Sequence, residues 1–255
     1  MTSFDIYVIN LDKDTERLHQ INEYLTPNSF VRISGVLGKE IDVHDYPEIF
    51  YLSKYLAPKS AIGCALSHRK AVQYFIDNSE KEYALILEDD ATPVFDNYME
   101  EIELAIQNGP KDWDIIKLDY WPDYKTNTYN NYPSMLTTCY IINKKGAKKL
   151  LDHKIINHID FDILFMDLNV YNYPVILFEQ IWDKNYVSNN RENETSNPFS
   201  TIYLGLNHKF IRLFDYEVSF ADLFLFLFIL LIMMLVYLFF SITMKKKRYF
   251  PSIRR

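Results

Sequence analysis

Apolar and polar positions along this chain fall into short runs that switch between a period of two and a period near 3.6. Phe4–Leu11 alternates into an apolar strand. Asp12-Lys13-Asp14-Thr15 supplies helix-start chemistry, and Leu18, Ile21 and Leu25 recur at helical spacing across Glu16–Leu25. Phe30–Ser34 reads as a second short strand ending at Gly35. This β-α-β opening predicts a parallel sheet covered by helices. Tyr46–Tyr55 reads as loop with a helical turn. Ser60–Ile76 reads as a helix that Ser60 can cap, with Ile62, Ala65, Leu66, Val72 and Phe75 along one side. Tyr83–Leu87 is the central strand, and Tyr98–Gln107 an amphipathic helix closed by Asn108-Gly109-Pro110. Asp114–Leu118 and Thr138–Ile142 read as strands, Lys144–Leu151 as a short helix, Asp160–Asp167 as helical and Val175–Phe178 as a last strand. Between them, Tyr120–Pro133 is aromatic and irregular, a mobile surface loop. Asp183–Pro198 is polar and Asn-rich, a flexible stretch.

The pattern changes at the C-terminal end. Leu223–Ile242 holds no charge, and about 20 apolar residues are what a helix needs to cross a bilayer. No face of it is polar, which argues against an interfacial helix. Lys245-Lys246-Lys247-Arg248 follows at once. The expected organisation is therefore a catalytic body at 1–190, a linker at 191–222, a transmembrane helix at 223–244 and a basic tail at 245–255. The basic flank favours a cytosolic C-terminus. The absence of an N-terminal signal instead favours a cytosolic body. We expect a single-pass membrane protein with its body in the cytosol, because a large domain is hard to translocate after synthesis. The sequon Asn193-Glu194-Thr195 matters only for a lumenal body.

Charge sharpens the picture. Six of the 27 Lys and Arg residues and none of the 34 Asp and Glu residues lie after Asp222, so the preceding residues carry −13. A body that acidic argues against nucleic-acid binding and holds a phosphate more readily through a cation than bare. With only 6 glycines there is no Gly-rich dinucleotide or nucleotide loop. Cys64 and Cys139 have no metal-type spacing and read as buried, reduced packing residues.

The strongest chemical signal is Ala84-Leu85-Ile86-Leu87-Glu88-Asp89-Asp90. An apolar strand that climbs into three carboxylates needs a counter-charge, because buried like charges are costly. A divalent cation with hard oxygen ligands is the usual one. In open α/β sheets ligands bind at the carboxyl ends of strands. Asn10, Glu88-Asp89-Asp90 and Asp119 all follow predicted strands and could share one crevice. Asn10 or Asp119 alone could equally be a turn or cap residue.

An ordered set of motifs carries a family resemblance. Tyr7-Val8-Ile9-Asn10-Leu11-Asp12 with Arg17, Ser60–His68 with its Gly63-Cys64 and Ser67-His68, Ala84–Asp90, Cys139–Ile142 followed by Lys145–Leu151, and Asp160-Phe161-Asp162 resemble, in order, the segments of glycosyltransferase family 25. This group includes lipopolysaccharide-type and collagen galactosyltransferases. The resemblance spans about residues 4–190. It implies a GT-A-type, Rossmann-like mixed α/β sheet domain and an inverting transfer from a nucleotide-sugar, a UDP-hexose, with Mn²⁺ or Mg²⁺. The acceptor class it implies is a glycan, glycolipid or protein. It assigns Glu88 and Asp90 to the metal, Asp89 to the metal or the donor sugar, and Asn10, Leu11, Arg17, Gly35, Ser67 and His68 to the donor side, although Arg17 could equally be a surface helix residue and His68 a structural one. Asp160 or Asp162 is its candidate base near the acceptor hydroxyl, although Asp160 could also be a helix N-cap. Trp121 and the Tyr120–Tyr132 loop could stack on sugar rings. Two other readings compete. One is an inactive transferase-like module that presents a binding surface at a membrane. The other is a metal-dependent nucleotidyltransferase or phosphoesterase, which also uses carboxylates at strand ends.

Overall fold

In a computed structural model of the protein, residues 2–180, 209–213 and 216–249 are described, with side chains over 2–180 and 223–237. The chain divides into two units, 1–197 and 198–255.

The first unit is built on strand alternation. In β1 (Phe4–Asn10) and β3 (Tyr83–Glu88), parallel neighbours in register Ile9 against Glu88, successive side chains point to opposite faces. Tyr7, Ile9, Ala84 and Ile86 enter one apolar cluster, and Phe4, Ile6, Val8, Leu85 and Leu87 enter the other. A sheet buried on both faces must be covered on both. α3 (Lys59–Asn78) and α5 (Lys144–Asp152) supply Ile62, Leu66, Phe75 and Leu150 to the first cluster. α1 (Thr15–Leu25) and α4 (Tyr98–Asn108) supply Ile21, Leu25, Ile102 and Ala105 to the second.

The sheet order is β2-β1-β3-β6-β5-β7, where β2 is Val31–Ser34, β5 Ile115–Lys117, β6 Cys139–Asn143 and β7 Val170–Asn172. β6 runs antiparallel to both β3 and β5, and the other pairs are parallel. The α/β mixed sheet expected from the sequence is thus present in this unit. Two short strands, β4 (Ala91–Pro93) and β8 (Phe178–Gln180), pair beside it. A short helix α2 (Ser53–Leu56) and α6 (Ile159–Asp162), followed by a 3₁₀ turn at Ile163–Phe165, complete the unit.

Several local expectations shift. Ser60 lies inside α3, whose N-cap is Pro58. The last strand expected at Val175–Phe178 is replaced by β7 and β8 on either side of a turn. The expected helix at Asp160–Asp167 shortens and ends in the 3₁₀ turn. Asp183–Pro198 lies outside the described residues.

In the second unit, part of the stretch read as linker is a hairpin. β9 (Lys209–Leu213) pairs antiparallel with β10 (Tyr216–Ser219) and leads into α7 (Phe220–Tyr249). The membrane expectation requires correction: among the described residues no helix is long and apolar enough to cross a membrane. Neither a transmembrane helix at 223–244 nor a single-pass membrane location stands.

Candidate active site

The carboxyl end of the sheet collects the polar residues of the first unit. β1 ends at Asn10, β3 runs into Glu88-Asp89-Asp90, and β5 leads to Asp119. Because β6 is reversed, its beginning arrives at the same edge, and the Glu88 amide donates to the Thr138 carbonyl at 2.8 Å.

Alternation separates the three consecutive carboxylates. Glu88 continues the Ala84–Ile86 face toward α3, where His68 Nε2 lies 3.1 Å from Glu88 Oε1. Asp89 turns toward α1. Its Oδ2 accepts from Asn10 Nδ2 at 2.7 Å and its Oδ1 from Arg17 at 3.1 Å. Asn10 is buried, also donates to the Asp14 carbonyl, and accepts from Arg32 Nε at 2.8 Å. Arg17 reaches Asp90 Oδ2 at 3.7 Å, and Gln180 donates to that oxygen at 3.1 Å. The result is a chain of charge and hydrogen bonds, Arg32–Asn10–Asp89–Arg17–Asp90.

One guanidinium does not balance this set. Burial, then repulsion from Asp90 and Asp160, pushes Glu88 well above the usual carboxylate range. Burial lifts Asp89 to about 6 despite the Asn10 bond, and Asp90 rises for the same reason. Asp119 is pushed up to about 7 by burial, with Glu88 and Asp90 adding to it. Asp90 Oδ1 and Asp119 Oδ2 are buried without a hydrogen-bond partner among the described residues, an arrangement that ordinarily calls for an explanation such as an ion.

The second acidic pair divides sharply. Asp162 is buried, and its two oxygens accept the backbone amides of Ile156 and Asn157, each at 2.9 Å. It ties down the turn before α6. Asp160 instead points back to the start of β6. It accepts from Thr137 Oγ1 at 2.6 Å and has His158 at 3.6 Å. Its charge is felt at Glu88, His68 and Lys117. It does not serve as a cap, since His158 holds that position.

The remaining expected residues frame the crevice. Ser67 Oγ accepts the Val36 amide and donates to the Gly63 carbonyl, both at 2.7 Å, so its hydroxyl is already engaged. A Cβ on Gly63 would come within 2.7 Å of the Gly38 nitrogen and the Val36 oxygen, so α3 and the segment after β2 meet backbone to backbone. The Gly35 amide donates to the Asn10 carbonyl at 2.9 Å, and a Cβ there would meet Leu11 at 3.2 Å. Leu11 and Gly35 therefore shape the wall next to Asn10. His68 is fully buried, stacks on Tyr140, and is held down to about 4 by burial. Trp121 and Tyr132 are exposed, whereas Tyr120 is buried and donates to the Tyr173 carbonyl.

Sequence reasoning passed over Arg32, Thr137 and Lys117. Arg32 and Thr137 are joined to the site only by long-range pairing. Lys117 is a buried lysine that donates to the Ser134 carbonyl at 2.6 Å and is lowered to about 8 by burial. Its position in an apolar strand was the available signal. Cys64, read as a buried packing residue, is half-buried, while Cys139 is buried.

A family model described as glycosyltransferase family 25 (LPS biosynthesis protein) matches residues 4–165. No curated protein matches the chain. Among solved structures, A197 from STIV is similar at 11% identity and a TM-score of 0.40, over 71% of this chain and 86% of that one. A glycosyltransferase involved in glycosylation of the major capsid of PBCV-1 matches at 13% identity and a TM-score of 0.35, over 58% of this chain and 62% of that one. A mutant Drosophila galactosyltransferase 7, in complex with manganese, UDP-Gal and xylobiose, matches at 13% and 0.37, over 85% and 89%.

Proposed function

The chain belongs to glycosyltransferase family 25, and from that membership we propose that its carboxylate crevice transfers a hexose, galactose or glucose, from a UDP-sugar to a hydroxyl of a glycan, glycolipid or protein, with inversion. The catalytic domain of this reading is 1–190. The observation that carries it is the pair of buried oxygens, Asp90 Oδ1 and Asp119 Oδ2, without a hydrogen-bond partner among the described residues, in a crevice where Arg17 pairs with Asp89 and Asp90.

By ligand type the set suits a hard divalent cation, Mn²⁺ or Mg²⁺, which takes carboxylate oxygens. Glu88, Asp90 and Asp119 are the residues that would hold it. When bound, the ion supplies Lewis-acid stabilisation of the departing diphosphate. The rest falls to the protein's own groups. Asn10 and Arg17 occupy both oxygens of Asp89, so Asp89 positions Arg17 rather than serving as a ligand. Arg17 then sits beside the crevice, where a planar guanidinium suits a phosphate. Asp160, held by Thr137, is the proton acceptor for the incoming hydroxyl, and Asp162 maintains the turn that presents it. Leu11, Gly35, Ser67 and His68 support the donor wall.

The test is a thermal-shift and transfer screen of UDP-sugars with and without Mn²⁺, since a ligand that binds only the folded state raises its melting temperature. We expect a donor-dependent rise that requires Mn²⁺ and disappears in Asp90→Asn. A donor that binds equally well without metal, or to Asp90→Asn, overturns the assignment of the crevice.

A further inference from the structure

The α3 side of Glu88 gathers a second set of ligand atoms. We propose that Cys64, His68 and Glu88 form a binding site for a thiophilic divalent cation, Zn²⁺ above all. One ligand atom from each of the three lies within 4.8 Å of the other two. Cys64 and His68 are one turn apart on α3 and so share a face, and the alternation of β3 turns Glu88 toward that face. His68 Nε2 and Glu88 Oε1 are 3.1 Å apart, a separation compatible with two ligands that each approach one tetrahedral ion at about 2.0–2.1 Å. The other ring nitrogen, Nδ1, lies 3.2 Å from the Tyr140 hydroxyl. Metal-binding histidines commonly engage an outer partner in this way, which fixes the tautomer and the ring. A zinc thiolate bond is about 2.3 Å long, and the Cys64 sulfur lies within 4.8 Å of the other two ligand atoms.

The ligand types set the selectivity. Thiolate with imidazole suits Zn²⁺, whereas Mn²⁺ and Mg²⁺ prefer oxygen. The set is therefore chemically distinct from the all-carboxylate seat at Asp90 and Asp119, and it shares only Glu88 with it. Three protein ligands leave a fourth position open, as in zinc sites that admit water or another small ligand. Cys64 and Glu88 are each only partly buried. With Zn²⁺ bound, Glu88 is drawn toward α3 and away from the oxygen seat. Zinc and manganese then compete for one carboxylate.

This site does not depend on the donor-binding reading, and its test uses neither donor nor Mn²⁺ activity. The full chain is titrated with Co²⁺. We expect a near-ultraviolet sulfur-to-cobalt charge-transfer band together with visible bands of a four-coordinate ion, both displaced by Zn²⁺. Cys64→Ser should lose the charge-transfer band and Cys139→Ser should keep it, with folding of each variant checked by circular dichroism. A wild-type chain that binds Co²⁺ without that band, or a band that survives in folded Cys64→Ser, overturns the proposal. Should Cys64→Ser fail to fold, iodoacetamide labelling of the wild type read by peptide mass decides the matter. Zn²⁺ must protect Cys64 and Mg²⁺ must not; equal labelling with and without Zn²⁺ overturns the site.

Discussion

The two ends of β5 carry buried carboxylates with opposite fates. Asp114, just before the strand, is fully buried and well attended. The Asn169 amide donates to its Oδ2 at 3.0 Å, Lys149 reaches the same oxygen at 2.8 Å, and Lys145 lies 3.2 Å from Oδ1. Burial opposes its ionisation, but these three partners together hold it below the ordinary carboxylate range. Asp119, just after the strand, is pushed up to about 7 by burial, with repulsion from Glu88 and Asp90 adding to it and a Thr138 hydrogen bond opposing it. The sheet supplies burial at both ends, and what differs is the compensating charge. At the amino end the protein provides its own cations. At the carboxyl end Arg17 is shared by Asp89 and Asp90, and the buried Lys117 donates to the Ser134 carbonyl, which leaves electrostatic demand for something from outside. Asp162 and Asp160 differ in their partners too, one with both oxygens accepting backbone amides and the other held by the Thr137 hydroxyl with His158 nearby, although burial still pushes Asp162 up.

The largest expected effect separates Asp160 from Asp162. Asp160→Asn should lower sugar transfer about 10²–10⁴-fold, the usual range for a lost general base, with little change in melting temperature. Asp162→Asn should instead cost about 1–2 kcal/mol of stability, because two buried amides lose an anionic acceptor. A folded Asp162→Asn enzyme that alone loses transfer would reverse the assignment.

Next comes Asp90→Asn, expected to reduce Mn²⁺-dependent transfer about 100-fold or more, the scale of a lost electrostatic stabiliser. Enzyme assays across a Mn²⁺ series check it. Neutralising the two ends of β5 should then move stability in opposite directions. Asp114→Asn should lose about 2 kcal/mol through its charged hydrogen bonds, while Asp119→Asn should raise the melting temperature of the metal-free protein near pH 8. The comparison breaks if both changes destabilise in chelator.

The smallest effect is the slope of stability against pH. In the folded protein Asp89 and Asp119 keep their protons up to about 6 and 7, while in the unfolded chain they lose them near 4. The folded state therefore binds more protons over this window, and metal-free stability falls as pH rises from about 4 to about 7. Glu88 and Asp90 are shifted the same way. His68, lowered to about 4, acts in the other direction between about 4 and 6.5, as one imidazole against several carboxylates. Melting curves in chelator should show the decline, and Mn²⁺ should flatten it. A chelated protein that grows steadily more stable from pH 4 to 7 would remove the electrostatic demand at the carboxyl end.

Much of this was legible where the signal is local. Alternation exposed β1 and β3, helical spacing exposed α1, α3 and α4, and the run at Glu88 announced the site. Alternation even contained the division of labour between Glu88 and Asp89, since neighbours on a strand face opposite ways. The reversal of β6 was not legible, because a strand carries no mark of its partner's direction. β4 and β7 are three residues each, too short for a period to register. The satisfaction of Asp114 depends on Lys145 and Lys149 arriving from a later helix, and that of Asp162 on a turn whose amides have no side-chain signature. The apolar run at 223–242 misled because composition alone suggested a bilayer span, whereas the structure supports no helix of that kind among the described residues.

The reversed strand has a consequence for how the protein comes into being. Since β6 enters the crevice from its own beginning, the site is stitched from the ends of β1, β3 and β5, the start of β6 and the approach to α6, segments that stretch from Asn10 to Asp160. Contacts so far apart in sequence form late and slowly, after loop-closure entropy has been overcome. A nascent or truncated chain can hold β1, α1 and β3 together and still lack Asp119 and Asp160. Competence should thus appear in one step at the end of folding, and no shorter piece of the domain should inherit a fraction of it.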